Sequence, residues 1–183
     1  MKKIYFLLST FLLLLFGANA QTSIRYINLD VKMGEEADVA RLFAEYHDVE
    51  RKSGAAVLQS VGYLGGISHR IVFAGDPANW GEKVERSDAE WEAYIGKMRP
   101  HFNDVNRSMV STNLRWRKEG SWEKSKASKY WEIIPEDPEQ FLKAYDNFIK
   151  SIDEILGNRV VTLESIDLGG MGGTHTTSLR GSD

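Results

Sequence analysis

The sequence predicts an α+β fold assembled from two successive halves of similar plan, the second incomplete at its C-terminal end. Two observations carry this. Strand-like and helix-like segments run strand, helix, strand, strand, and the order restarts at Tyr130 with nearly the same pacing: 43 residues from Tyr26 to His69 and 45 from Tyr130 to His175. The stretches "YLGGISHRIVFAG", Tyr63 to Gly75, and "GMGGTHTTSLRG", Gly170 to Gly181, also match. Each has a glycine pair, a histidine, a β-leaning run and a glycine six residues past the histidine.

The first twenty residues stand apart. Lys2 and Lys3 precede an apolar run, Ile4 to Phe16, and Ala18-Asn19-Ala20 is a small-x-small cleavage pattern, so residues 1–20 read as a secretory signal peptide cleaved near Ala20. The run is short for a bilayer span, which takes ~20 apolar residues, and no stable membrane anchor is expected. An exported, periplasmic or secreted chain of 163 residues is then left, its formal charge moving from −3 to −5 with the loss of the two lysines. An acidic balance excludes nucleic acid held mainly by phosphate contacts. The absence of cysteine excludes disulfides, thiolate nucleophiles and Cys-ligated metals.

"IRYINLDV", Ile24 to Val31, alternates as a strand with Ile27, Leu29 and Val31 on one face and Ile24 and Tyr26 on the other. Gly34 to Ser53 places Val39, Phe43, Tyr46 and Val49 on one helical face, with Gly54 as the stop. Ala55–Tyr63 and Ser68–Ala74 are strands joined through a glycine turn. Ser87-Asp88-Ala89-Glu90 is a capping box. The helix behind it, with Trp91, Tyr94, Ile95, Met98, Phe102, Val105 and Met109 in phase, is expected to run through Asn106 with a bend at Pro100. Thr112–Arg117 is a strand.

This order of strand, helix, strand, strand, helix, strand is the ferredoxin-like split unit, assigned to residues 21–119. The polar stretch "GSWEKSKASK", residues 120–129, is the expected linker. In the second half, 130–183, Tyr130–Ile134 is a strand and Asp137-Pro138-Glu139-Gln140 a strong helix start. Phe141, Tyr145, Phe148, Ile152 and Ile155 form the clearest amphipathic face in the chain. Strands at Arg159–Ile166 and Thr174–Leu179 follow around a glycine-rich turn, without a final helix and strand.

The element order and the paired Gly-Gly-x-(x)-His segments resemble the dimeric α+β barrel superfamily, which includes antibiotic-biosynthesis-type monooxygenases, chlorite dismutases and dye-decolourising peroxidases. The resemblance implies tandem ferredoxin-like repeats forming an α+β barrel, with a small apolar or aromatic ligand or a protein partner. It also implies a homodimer in which another chain supplies the missing edge, unless the chain itself continues.

Three function classes follow: a binding module, a cofactor-independent monooxygenase-like enzyme with a His base in a sheet–helix pocket, and a haem enzyme of the same superfamily with His69, His101 or His175 as axial ligand. No cofactor is expected from the residues themselves. His69 and His175 are the candidate catalytic residues, since imidazole titrates near neutral pH; the competing reading makes each the anchor of a repeated turn. Trp80, in "DPANWGEK", has no periodic partner and is a candidate lid, and Trp116 and Tyr130 complete the candidate ligand-binding set. His47 with Asp48, and His101 with Glu90, read as solvated charge rather than metal ligands. "LGGMGG", Leu168 to Gly173, lacks the Gly-Lys-Ser/Thr and helix that a phosphate loop needs. No G-x-S-x-G elbow exists.

Overall fold

β1 (Ser23–Val31) is a two-faced strand whose residues enter two different cores, as its alternation demands. Leu29 and Val31, with Ile27, pack under the helices, and Ile24 and Tyr26 pack on the opposite face with Val72 and Met109. The computed structural model describes residues 22–64, 66–117 and 127–181. Residues 1–20 and residues 120–126 of the expected linker, including Trp122, lie outside them.

Helix α1 (Glu36–His47) buries Val39, Leu42, Phe43 and His47. It ends six residues before the expected boundary, and Gly54 serves a different purpose. Gly54 has φ +70°, and a Cβ there would lie 1.7 Å from the carbonyl oxygen of Ala74, so it admits the close approach of β3 rather than stopping a helix. β2 (Ala55–Leu64) and β3 (Ile67–Gly75) form the expected hairpin.

Helix α2 (Asp88–Met98) begins at the Ser87 capping box, with Ser87 and Glu90 each accepting the other's backbone amide. The expected continuation to Asn106 is not formed. A short 3-10 turn, Arg99–His101, carries Pro100, and β4 (Phe102–Arg117) starts directly after it. Pro100 removes a helical donor, and β4 is paired along one edge with β1 and along the other with β6 (Val160–Gly169). Sheet pairing on both edges overrides the helical spacing of Phe102, Val105 and Met109.

β5 (Ala127–Ile133) begins inside the expected linker, at Ala127. Asp137 caps helix α3 (Pro138–Ser151) by accepting the Gln140 amide, a single-turn helix α4 (Asp153–Leu156) follows, and β7 (His175–Gly181) is the last strand among the described residues. None of α3's residues is fully buried, and Phe148 stays 57% exposed. In the first half α2 lies alongside α1; no second helix lies alongside α3 among the described residues.

The seven strands form one antiparallel sheet in the order β2-β3-β1-β4-β6-β7-β5. The triplet β2-β3-β1 is thus repeated as β6-β7-β5, the topological trace of two ferredoxin-like units joined through β4 and β6. Register repeats too: His69 stands opposite Leu29 and Ser60, and His175 opposite Ile133 and Ser165. The fold is α+β, a curled sheet with helices against its convex face. The curl brings β5 towards β2, where Tyr130 donates to Gln59 at 3.1 Å.

Candidate functional site

His47 ends α1 one helical turn after Phe43, on the buried stripe that also holds Val39. Its side chain is 4% exposed and its ring is enclosed by aromatics, with centroids at 4.8 Å for Phe43, 5.0 Å for Tyr46, 5.3 Å for Phe73 and 5.3 Å for Tyr94. An imidazole in such a cage needs polar partners. Glu82 supplies one: its Oε1 lies 3.0 Å from His47 Nδ1.

Glu82 reaches that place through backbone pairing. Lys52 donates to the Gly81 carbonyl and Lys83 to the Glu50 carbonyl, clipping the loop before α2 against the segment after α1. The carboxylate also accepts from Arg51 Nη1 at 3.2 Å and from Arg86 Nε at 2.9 Å. Arg86 in turn donates to the Tyr46 carbonyl and lies over the Tyr46 ring, 3.8 Å from its centroid. This is a largely buried network of one carboxylate, two guanidiniums and an imidazole.

Its electrostatics favour the neutral His47 ring. Burial lowers the His47 pKa, and the hydrogen bond and charge of Glu82 pull the other way without reversing it. The neutral ring donates Nδ1–H to the carboxylate, which leaves the lone pair at Nε2. That nitrogen is buried and has no hydrogen-bond partner among the described residues, and the same holds for the hydroxyl of Tyr94. Burial, with the Tyr46 ring and the Glu82 charge, raises the Tyr94 pKa, so its hydroxyl stays a neutral donor.

Tyr46 and Tyr94 stack at 4.1 Å and an interplanar angle of 14°, joining α1 to α2, and Trp91 leans on both. Beside this stack runs a cleft of about 270 Å³ walled by Leu42, Tyr46, Arg86, Tyr94 and Lys97.

The residues singled out from sequence lie elsewhere. His69 and His175 both sit on the convex, helix-facing side of the sheet, in phase with Ile71 and Thr177. Each uses the same device: His69 Nδ1 lies 3.0 Å from Ser68 Oγ, and His175 Nδ1 lies 3.0 Å from Thr174 Oγ1. Burial lowers both pKa values, opposed at His69 by the charge of Glu36. His175 also meets the Phe141 ring edge-on at 5.7 Å. Four strand steps separate β3 from β7, roughly 19 Å at ~4.8 Å each, so the two histidines do not share a pocket.

Trp80 follows the 3-10 turn Pro77–Asn79 and is half-buried. Trp116 lines a groove of about 350 Å³ between β4 and α3, with Tyr145, Ile149 and Val161. Tyr130 is on the concave face, its ring 6.3 Å edge-on from Tyr26 and 4.9 Å from the Arg70 guanidinium carbon, its hydroxyl accepting from Arg180 at 2.9 Å. These three aromatics occupy three separate places.

The concave face centres on Glu164, 2% exposed. It accepts from Tyr26 at 2.9 Å, Ser111 at 2.5 Å and Thr162 at 3.1 Å, so it ties β1, β4 and β6 together. Burial raises its pKa. The carboxylate is well satisfied, and neither cleft described above reaches it.

Glu35, Asp38 and His101 bring ligand atoms within 4.8 Å of one another at the start of α1. His101 Nδ1 is held by Glu35 at 2.6 Å and Asp38 by Arg41 at 3.0 Å. A guanidinium on one carboxylate and the positive end of a helix both oppose a cation there.

Sequence reasoning missed His47, Glu82 and Tyr94 as a group. The spacing Val39-Phe43-His47 was the available signal for His47. For Glu82 there was none, since a loop carboxylate 35 residues away declares itself only through the backbone clip.

No protein-family model and no curated protein sequence matches the chain. Its fold is similar to that of a "putative monooxygenase" from Fusobacterium nucleatum subsp. nucleatum, at 12% identity and a TM-score of 0.57 over 90% of this chain and 77% of that one. An anthrone oxidase-like protein is similar at 7% identity and a TM-score of 0.49, over 91% of this chain and 75% of that one. At 12% identity the likeness to the Fusobacterium protein establishes the α+β barrel-type fold alone.

Proposed function

We propose that this α+β protein binds a small planar aromatic molecule between α1 and α2 and acts on it as a monooxygenase, with His47 Nε2 as the proton acceptor. The observation that carries the proposal is a buried imidazole whose Nδ1 is held by Glu82 and whose Nε2 has no partner among the described residues, inside an aromatic cage. In this reading His47 removes an acidic proton from the ligand and the Glu82 carboxylate stabilises the imidazolium. The electron-rich anion reduces O2: a ring carbon bearing hydrogen becomes a carbonyl, one oxygen atom enters the product and the other leaves as water. The similarity in fold to a protein described as a monooxygenase supports this class. Under the same proposal the signal-peptide pattern of residues 1–20 supports a reaction outside the cytoplasm, with a mature chain beginning at Gln21.

Oxygen uptake with a panel of phenols and anthrones tests it. His47→Ala is expected to lower uptake at least ~100-fold, with His69→Ala and His175→Ala close to the parent. Full activity in His47→Ala refutes the role. A ligand that raises the melting temperature without any turnover would leave binding as the function. A Soret band on adding haem, lost in one histidine variant, would replace it with the haem class.

A further inference from the structure

We infer that the loop between β3 and α2, Asp76 to Arg86, is a strap that lies closed while His47 is neutral and is released when that ring takes up a proton. Few bonds hold it. Two backbone bonds clip it to the segment after α1, from Lys52 to the Gly81 carbonyl at 3.0 Å and from Lys83 to the Glu50 carbonyl at 2.8 Å. Ser53 adds a tie, donating to the Asn79 carbonyl and accepting from the Asp76 amide. The inward ties run through the side chains of Glu82 and Arg86.

The charge count around His47 decides when those inward ties hold. Facing its ring are Glu82 from the loop with Arg86 on the same carboxylate, Arg51 from the segment after α1, Tyr46 from α1, Tyr94 from α2 and the neutral ring of Phe73 from β3. Burial raises both tyrosine pKa values, so neither hydroxyl adds charge. With the imidazole neutral, one carboxylate serves two guanidiniums. A proton on His47 adds a third cation, where the four side chains are only 4% to 19% exposed. The new proton also lacks a place: Nδ1–H already goes to Glu82, so protonation creates an Nε2–H, and that nitrogen is buried with no acceptor among the described residues. Arg51 Nε is buried and unpartnered in the same way.

α1 is fixed to the core through Val39, Leu42 and Phe43, so the loop is the part that gives way. Its release lets water solvate all three cations. Arg86 lies over the Tyr46 ring and walls the α1–α2 cleft, so its departure bares that ring and widens the cleft. Acid thereby opens the site assigned above. This regulatory role rests on that assignment, whereas the strap itself rests on charge and burial.

Amide hydrogen exchange of the parent protein from pH 7.5 to 5.0, corrected for intrinsic rates, tests it. One proton raises the opening constant by at most about tenfold per pH unit below about 6.5. The Lys52 and Lys83 amides are expected to lose protection along such a slope, more steeply than the amides of β1. His47→Gln removes the titrating ring and should flatten it. Arg51→Met removes one cation and keeps His47, so the pH of release should fall; this variant decides the matter if His47→Gln does not fold. Clip protection that ignores pH, or that falls in step with β1, overturns the inference. So does a slope unchanged by His47→Gln, or a release pH unmoved by Arg51→Met. Oxygen uptake at pH 7.5 independent of His47 would sink the base and leave the strap standing. A clip indifferent to His47, with uptake lost in His47→Ala, would sink the strap alone.

Discussion

Replacing Glu82 by alanine strips the one carboxylate from a cluster that keeps two guanidiniums and an imidazole. The side chains of Arg51, Arg86 and Glu82 are 10%, 19% and 13% exposed, so the leftover charges are largely shielded from water. Breaking a buried pair by removing one partner costs about 3–5 kcal/mol, because the remaining charge goes uncompensated. Partial exposure of Arg86 argues for the lower end, about 3 kcal/mol. For a chain of this size each kcal/mol shifts Tm by about 2–4 °C, so a fall of roughly 6–12 °C is expected. Thermal unfolding followed by circular dichroism measures it. Removing Asp38, which pairs with Arg41 in the open, is the control and should leave Tm unmoved. A Glu82→Ala shift no larger than the control's would refute the claim that this network is desolvated.

Three further outcomes follow from the same geometry. The folded pKa values of His47, His69 and His175 all lie below the ordinary imidazole value. Their contribution is therefore complete above about pH 6.5 and lost as pH falls through that value towards the folded ones. Urea midpoints should drop between pH 7.5 and 5.5, and drop less in a His69→Gln, His175→Gln variant; equal slopes would contradict this. Glu164 has the opposite sign, because its folded pKa is raised. Its penalty appears as pH rises above about 4.3, the unfolded carboxyl value, so the stability of the parent relative to Glu164→Gln should decline with pH until the folded pKa is passed; a difference curve that rises would reject the assignment. Gly54→Ala meets the Ala74 carbonyl at 1.7 Å and a φ of +70°, and should cost about 2 kcal/mol or more in chemical denaturation; a neutral result would mean the strands separate there at little cost.

What the sequence made legible was local chemistry. The faces of β1, the capping box at Ser87 and the Asp137-Pro138 start of α3 are each written in neighbouring residues, and the structure realises them. The repeated pacing of the two histidine segments is matched by the register of β3 and β7 and by the hydroxyl beside each ring. β4 was illegible because Phe102, Val105 and Met109 satisfy helical spacing by themselves; their strand state comes from β1 and β6 on either side. The amphipathic stripe of α3 is correct, yet none of its residues is fully buried. At the candidate site, His47 lay on a readable apolar stripe, whereas Glu82 and Tyr94 reach it only through tertiary structure.

The most direct measurement of the central claim is the protonation of the His47 ring nitrogens by long-range ¹H–¹⁵N spectroscopy, with and without 2-naphthol. The account predicts a neutral ring protonated at Nδ1 at pH 7, whose Nε2 signal moves towards the protonated form when the naphthol binds. A ring protonated at Nε2 in the free protein, or an Nε2 signal indifferent to the ligand, would contradict it.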